Sequence, residues 1–166
     1  MSPAIDLNTE PLPLANSEPL LQGQRAPDFH CKLTTGTQVQ ISELLGRTHV
    51  LLNFIKGTWC PFCQQHMLNL RSWQKTQELA QKSTLLVISN EPIDALREFR
   101  REHSIAYLMA SVQSPSTVFQ AYGIAVQGEN FCRPAVFLIE QGGIIRMAHH
   151  GTRGSELDQS CRSCGA

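Results

Sequence analysis

Two cysteines enclose a proline and a phenylalanine in the run Cys60-Pro61-Phe62-Cys63. Thiols at this spacing lie about one helical turn apart if a helix starts between them, which is within disulfide range. The apolar run Val50, Leu51, Leu52, Phe54 and Ile55 precedes the pair, and a helical pattern follows it. That location says more than the bare spacing. The first N–H groups of a helix lack intrahelical acceptors and carry the positive end of its dipole, so a thiolate at Cys60 would meet several donors. Its pKa is expected to fall below that of a free thiol. Pro61 fits the first turn, where its missing N–H costs nothing and its fixed φ is already helical. The expected chemistry is a two-step exchange. Thiolate Cys60 attacks a substrate disulfide, then Cys63 attacks Cys60 and releases the reduced substrate. Trp59, Phe62 and Thr58 are the expected substrate-facing residues. Cys60 is expected to be the more acidic and more exposed thiol, although the reverse order stays open. The competing reading, core cysteines or half of a metal site, does not explain a proline-locked turn at an element boundary.

A second landmark is Cys132-Arg133-Pro134, just ahead of the apolar segment Ala135-Val136-Phe137. A cis Pro134 would offer a backbone edge to an extended peptide, and Arg133 would place a guanidinium near a thiolate or a departing oxyanion. A trans proline with a solvent-facing arginine is the equally open alternative. Cys161 and Cys164 form another CxxC on a polar stretch and are candidate accessory thiols that could resolve an oxidised Cys60 or Cys63. Four thiolates from two such pairs could hold zinc, but one pair lies at a helix start and the other on a loose tail. His66, His149 and His150 are read as surface or internally satisfied histidines. No metal and no cofactor is expected. Cys31 and Cys132 read as small, partly buried residues, with Cys132 close enough to the pair to invite oxidation.

The surrounding elements must hold this pair in place. With 166 residues the chain suits one domain with a sizeable core. Fourteen basic residues balance fourteen acidic ones, so no global field favours nucleic acid or an anionic membrane. Residues 1–18 carry Asp6 and Glu10 with no basic start or apolar run, so neither a signal nor a transit peptide is expected. No stretch approaches the roughly 18 apolar residues of a membrane span. A cytoplasmic location follows as the expectation.

Residues 1–22 read as a proline-bearing arm, 23–152 as the compact domain and 153–166 as a cysteine-containing tail. Within the domain, Val39 and Ile41 suggest a short strand, and Ser42 a helix cap before Glu43-Leu44-Leu45 and Gly46. Residues 49–55 and 84–89 read as buried strands, 64–83 and 92–103 as amphipathic helices, and 107–109 as a short strand. A helix over 115–122 and strands over 135–139 and 144–147 follow. The last two strands are joined by a hairpin at Glu140-Gln141-Gly142-Gly143. This order predicts an α/β fold, a mixed central sheet with helices on both faces.

Taken together, the motifs resemble the thioredoxin-like superfamily, in the branch of peroxiredoxin-like (AhpC/TSA and redoxin) proteins. The resemblance runs from about Gly23 to His150. It rests on Gly23-Gln24-Arg25-Ala26-Pro27-Asp28-Phe29, on Ile41-Ser42-Glu43-Leu44-Leu45-Gly46, and on Lys56-Gly57-Thr58-Trp59-Cys60-Pro61-Phe62-Cys63. Arg133-Pro134-Ala135-Val136-Phe137 and Gly142-Gly143-Ile144-Ile145 complete it. The resemblance implies a thioredoxin-like fold and reduction of protein disulfides or peroxides. It also implies a thioredoxin- or glutathione-type reductant and an active-site role for Arg133; a homodimer stays open. The sequence departs from the P-x-x-x-T/S-x-x-C pattern of the peroxidases. Counted back from Cys63, Cys60 and Lys56 stand at the threonine and proline positions; counted back from Cys60, Gly57 and Asn53 stand there. Thr58 is one residue out of register. That departure favours dithiol exchange, with peroxide reduction as the alternative.

Overall fold

The computed structural model describes residues 20–78 and 82–150. Seven strands and four helices alternate through them: β1 (His30–Leu33), β2 (Gln38–Gln40), α1 (Ile41–Leu45), β3 (His49–Phe54), α2 (Pro61–Thr76), β4 (Ser83–Ser89), α3 (Ile93–Glu102), β5 (Leu108–Val112), α4 (Pro115–Ala121), β6 (Ala135–Ile139) and β7 (Ile145–His150). The strands form one mixed sheet in the order β2-β1-β5-β4-β3-β6-β7. Its centre is parallel, with Val50 to Phe54 of β3 opposite Thr84 to Ile88 of β4, and β4 parallel to β5. The outer pairings, β1 with β2 and β5, and β6 with β3 and β7, are antiparallel.

The near-continuous apolar runs of β3, β4 and β6 follow from burial on both sheet faces. Because successive side chains point to opposite faces, each run divides between two cores. Val50, Leu52 and Phe54 join Leu86, Ile88 and Phe137 on one face, under Ile41 and Leu45 of α1 and Val118 and Phe119 of α4. Leu51 and Ile55 join Leu85, Val87 and Val136 on the other, under Met67, Leu70 and Trp73 of α2 and Leu96 and Phe99 of α3. Cys60 and Cys63 belong to this second core, whereas Cys31 and Cys132 belong to the first.

Several boundaries differ from the sequence reading for local reasons. Helix α2 starts at Pro61 instead of residue 64 and ends at Thr76, well short of 83. The N-cap of α1 is Gln40, not Ser42. Ser42 lies inside the helix, where its N–H and hydroxyl donate to the two carboxylate oxygens of Asp28, each at 2.9 Å. The first-turn donors are thus met by a carboxylate from a distant part of the chain. Strand β1, which periodicity does not single out, buries only Cys31 and Leu33. The hairpin between β6 and β7 turns through Gly142 and Gly143 at φ of 102° and 109°, a region that strains any residue with a Cβ. The expected arm survives in the description only as residues 20–22, where Leu20 packs against the first core. The tail from 153, with Cys161 and Cys164, lies outside the described residues. Among the described residues, no helix is long and apolar enough to cross a membrane.

Candidate active site

Strand β3 ends at Phe54, and the segment 55–60 carries the chain to α2. Cys60 is the N-cap of α2 with extended backbone, Pro61 opens the first turn, and Cys63 follows within that turn. A side chain at the N-cap meets the N–H groups of the second and third helical residues, here Phe62 and Cys63.

The two thiols are shifted in opposite directions. The Cys63 side chain hydrogen-bonds to the Cys60 sulfur and lowers the Cys60 pKa to about 6; burial works against this. The Cys63 N–H, the Lys56 charge and the Phe62 N–H, in that order, contribute smaller parts of the same lowering. Cys63 is driven well above the ordinary thiol value by that same hydrogen bond, by burial and by the neighbouring Cys60 charge. One proton held between two sulfurs therefore resides on Cys63, leaving Cys60 as the thiolate near neutral pH.

One expectation needs correction: Cys60 is not the exposed member of the pair. Both cysteines are 0% exposed. The indole of the preceding residue, Trp59, folds back against Gly57, where an added Cβ would collide with it. It also meets Phe131 edge-on at a centroid distance of 6.0 Å, while remaining 52% exposed itself. Cys60 nevertheless lies shallower than Cys63, with less protein around it.

The other predicted residues divide. Phe62 is half-buried and packs on the second core. Thr58 is committed to the protein: its N–H donates to Glu91 Oε1 at 2.7 Å and its hydroxyl to Glu91 Oε2 at 2.8 Å. Its carbonyl accepts from Gln64 Nε2 at 2.6 Å. Arg133 is buried rather than solvent-facing, and its N–H donates to the Ile124 carbonyl at 2.7 Å. The described residues contain no cis peptide, so the bond before Pro134 is trans, and Pro134 itself is buried and offers no open edge. Cys132 is buried on the opposite face of the sheet, donates to the Ile55 carbonyl at 3.2 Å, and is pushed upward in pKa by burial.

The sequence reading gave no role to three other groups. Lys56 is fully buried, and its charge acts on both Cys60 and Cys132. A charged residue closing an apolar run directly before a CxxC is the signal for it. Glu91 follows the carboxyl end of β4, parallel to β3, and the carboxyl ends of parallel strands are where α/β sheets place functional groups. Asn53 and His66 form a buried polar pair beneath α2, with His66 Nε2 to Asn53 Oδ1 at 2.9 Å. Burial, then the charge of His149, lowers the His66 pKa to about 4, so its imidazole is neutral near pH 7. His66 is therefore an interior residue, and among the described residues no three potential metal ligands come together.

Two cavities are lined by residues other than the cysteines. One, about 520 Å³, is lined by Arg25, Asp28, Ser42 and Gly143 on another part of the molecule. A groove of about 400 Å³ runs along Phe119, Val126 and Phe131 and so reaches the aromatic partner of Trp59.

Residues 22–148 match the sequence profile of the AhpC/TSA family. The thioredoxin-like protein YneN of Bacillus subtilis is 27% identical over 131 residues, 79% of this chain and 72% of the relative. The thiol-disulfide oxidoreductase ResA of the same organism is 25% identical over 138 residues, 83% of this chain and 72% of the relative. Among solved structures, peroxidoxin BcpB from Mycobacterium tuberculosis superposes with a TM-score of 0.74 at 20% identity, covering 87% of this chain and 95% of its own. At that identity the likeness speaks to the fold, which is thioredoxin-like.

Proposed function

Since the chain belongs to the AhpC/TSA family, we propose that it is a thiol–disulfide oxidoreductase working through Cys60 and Cys63. The observation that carries this reading is the placement of Cys60 as the N-cap of α2 with Cys63 in its first turn, where the hydrogen bond between them lowers the Cys60 pKa and raises that of Cys63. Thiolate Cys60 attacks one sulfur of a substrate disulfide; the old S–S bond breaks and the other sulfur leaves as a thiolate that takes up a proton. Cys63 then loses its proton and attacks the Cys60 sulfur. A Cys60–Cys63 disulfide forms and the substrate leaves with both sulfurs reduced. A thioredoxin- or glutathione-type thiol returns two electrons to the protein, a reductant that the cytoplasm supplies. Two matched relatives, a thioredoxin-like protein and a thiol-disulfide oxidoreductase, support the same reading. Cys60 is fully buried at rest, so turnover requires part of the protein around it to move aside.

Peroxide reduction is the second reading, favoured by the buried Arg133 and by the family itself. Cys60 thiolate would take one oxygen from a hydroperoxide and release the alcohol, and Cys63 would condense with the sulfenic acid to give the same disulfide plus water. Lys56, Gly57 and Asn53 at the positions where peroxidases carry proline or threonine weigh against it.

The test is parallel turnover of a peptide disulfide and of hydrogen peroxide by the wild type, Cys60→Ser and Cys63→Ser, with dithiothreitol as reductant. The expected result is disulfide turnover that Cys60→Ser abolishes, together with a trapped mixed disulfide on Cys60 in Cys63→Ser. Saturable peroxide turnover without disulfide turnover would establish the second reading, and absence of both would dismiss the pair as a redox centre.

A further inference from the structure

The carboxyl end of β4 grips both walls of the cysteine site. Three consecutive residues, Ser89, Asn90 and Glu91, do this through side-chain hydrogen bonds. Glu91 receives the Thr58 N–H and the Thr58 hydroxyl on separate oxygens, at 2.7 and 2.8 Å. The Ser89 hydroxyl donates to Glu91 Oε1 at 2.9 Å, and the Glu91 N–H donates back to that hydroxyl oxygen at 3.0 Å. From β5, the Ser111 hydroxyl donates to the Glu91 carbonyl at 2.6 Å. One carboxylate oxygen thus takes the Ser89 hydroxyl, and the Glu91 backbone is fixed through its N–H and its carbonyl. Two residues beyond Thr58 stands Cys60. On the opposite wall, Asn90 Nδ2 donates to the Asn130 carbonyl at 2.6 Å, and the next residue, Phe131, is the aromatic partner of Trp59.

We infer that Glu91 is a positioning residue for Cys60: acting through Thr58, it holds the 57–60 segment so that the Cys60 sulfur stays aligned with the first-turn N–H groups of α2 and with Cys63. Asn90 fixes the facing wall in the same frame. The inference rests on the dithiol reading, because positioning matters only if Cys60 reacts. The sign of the effect separates positioning from plain electrostatics. A carboxylate near a thiolate repels it, so if Glu91 acted by its charge alone, neutralising it would make Cys60 more acidic. If Glu91 acts by geometry, neutralising it makes Cys60 less acidic. A glutamine can accept from Thr58 with only one oxygen, and its amide group turns a donor toward the remaining Thr58 donor.

The experiment follows iodoacetamide alkylation of Cys60 against pH by peptide-resolved mass spectrometry, in the full chain, for the wild type, Glu91→Gln, Thr58→Ala and the double variant. The expected result is an upward displacement of the alkylation midpoint in Glu91→Gln, with about a fivefold loss of rate at pH 6 for the first pH unit of displacement. Thr58→Ala shifts the midpoint in the same direction by less, because the N–H contact survives. The double variant is no worse than Glu91→Gln, since both residues act through one contact. An unchanged or lowered midpoint in Glu91→Gln, or full additivity in the double variant, overturns the inference. If Glu91→Gln does not fold, the direction of the Thr58→Ala shift decides alone. Alkylation needs no disulfide substrate. A wild type without exchange activity therefore sinks the proposed function while leaving this result standing, and an active wild type with an unmoved Glu91→Gln profile sinks only the inference.

Discussion

Cys60 owes its acidity to groups that can be removed one at a time. The hydrogen bond from the Cys63 side chain is the largest of them, and the Lys56 charge is a smaller one. Wild-type alkylation of Cys60 is therefore expected to rise with a midpoint near pH 6, with Cys63→Ala displacing it upward the most and Lys56→Met by a smaller step. Lys56→Met also removes a cation from the interior, and methionine suits the vacated space, so its fold is expected to persist. Rate profiles against pH for the three proteins check the order; a larger shift from Lys56→Met than from Cys63→Ala would contradict it. The residue types Cys60, Pro61 and Cys63 announce this chemistry in the sequence. Lys56 is marked only by its position, closing the apolar run before the pair; that its ammonium turns inward is decided by the fold.

At the scale of elements, the site is a junction between the end of β3 and the start of α2, where the indole of Trp59 lies over Gly57, three residues before Cys60. Gly57 has no Cβ to meet that ring, and the contact would be lost with any larger residue. Gly57→Ala is accordingly expected to displace the indole. Tryptophan emission should change, and Cys60 alkylation at pH 8, where the thiolate is fully formed in either protein, should become several-fold faster. Equal or slower alkylation would show that Trp59 is not what limits access. The apolar run of β3, the proline at the head of α2 and the paired glycines before β7 were all legible as element signals, because each acts through local backbone preference. The α1 cap was not: Asp28 lies fourteen residues from Ser42 in the chain, and only folding brings its carboxylate to that helix start.

The described residues form one sheet with a core on each face, and the polar pair beneath α2 couples stability to pH. His66 is held neutral, its pKa lowered from 6.5 to about 4, chiefly by burial. The unfolded chain binds a proton at this residue below pH 6.5, whereas the folded chain does so only near pH 4. Stability is thus intact above pH 6.5 and declines as pH falls through the window down to 4, by about 3 kcal/mol from this group. Urea unfolding at pH 7 and pH 4.5 checks this against His66→Gln, whose smaller dependence on pH over that window is the expected outcome. An identical slope in both proteins would assign the acid sensitivity elsewhere. The row Asn53, Val136 and His149 across β3, β6 and β7 brings the second histidine to the same face.

From its sequence alone, this protein is an α/β chain with a thiol pair at a strand-to-helix junction, because periodicity, turn residues and cysteine spacing are properties of neighbours along the chain; its motifs add a resemblance to peroxiredoxin-like proteins. Only the tertiary structure decided that Cys60 is covered, that Arg133 and Lys56 are interior cations, and that Glu91 reaches Thr58. Those facts depend on which side chains face one another across the sheet and its loops, where residues far apart in sequence settle burial and charge together.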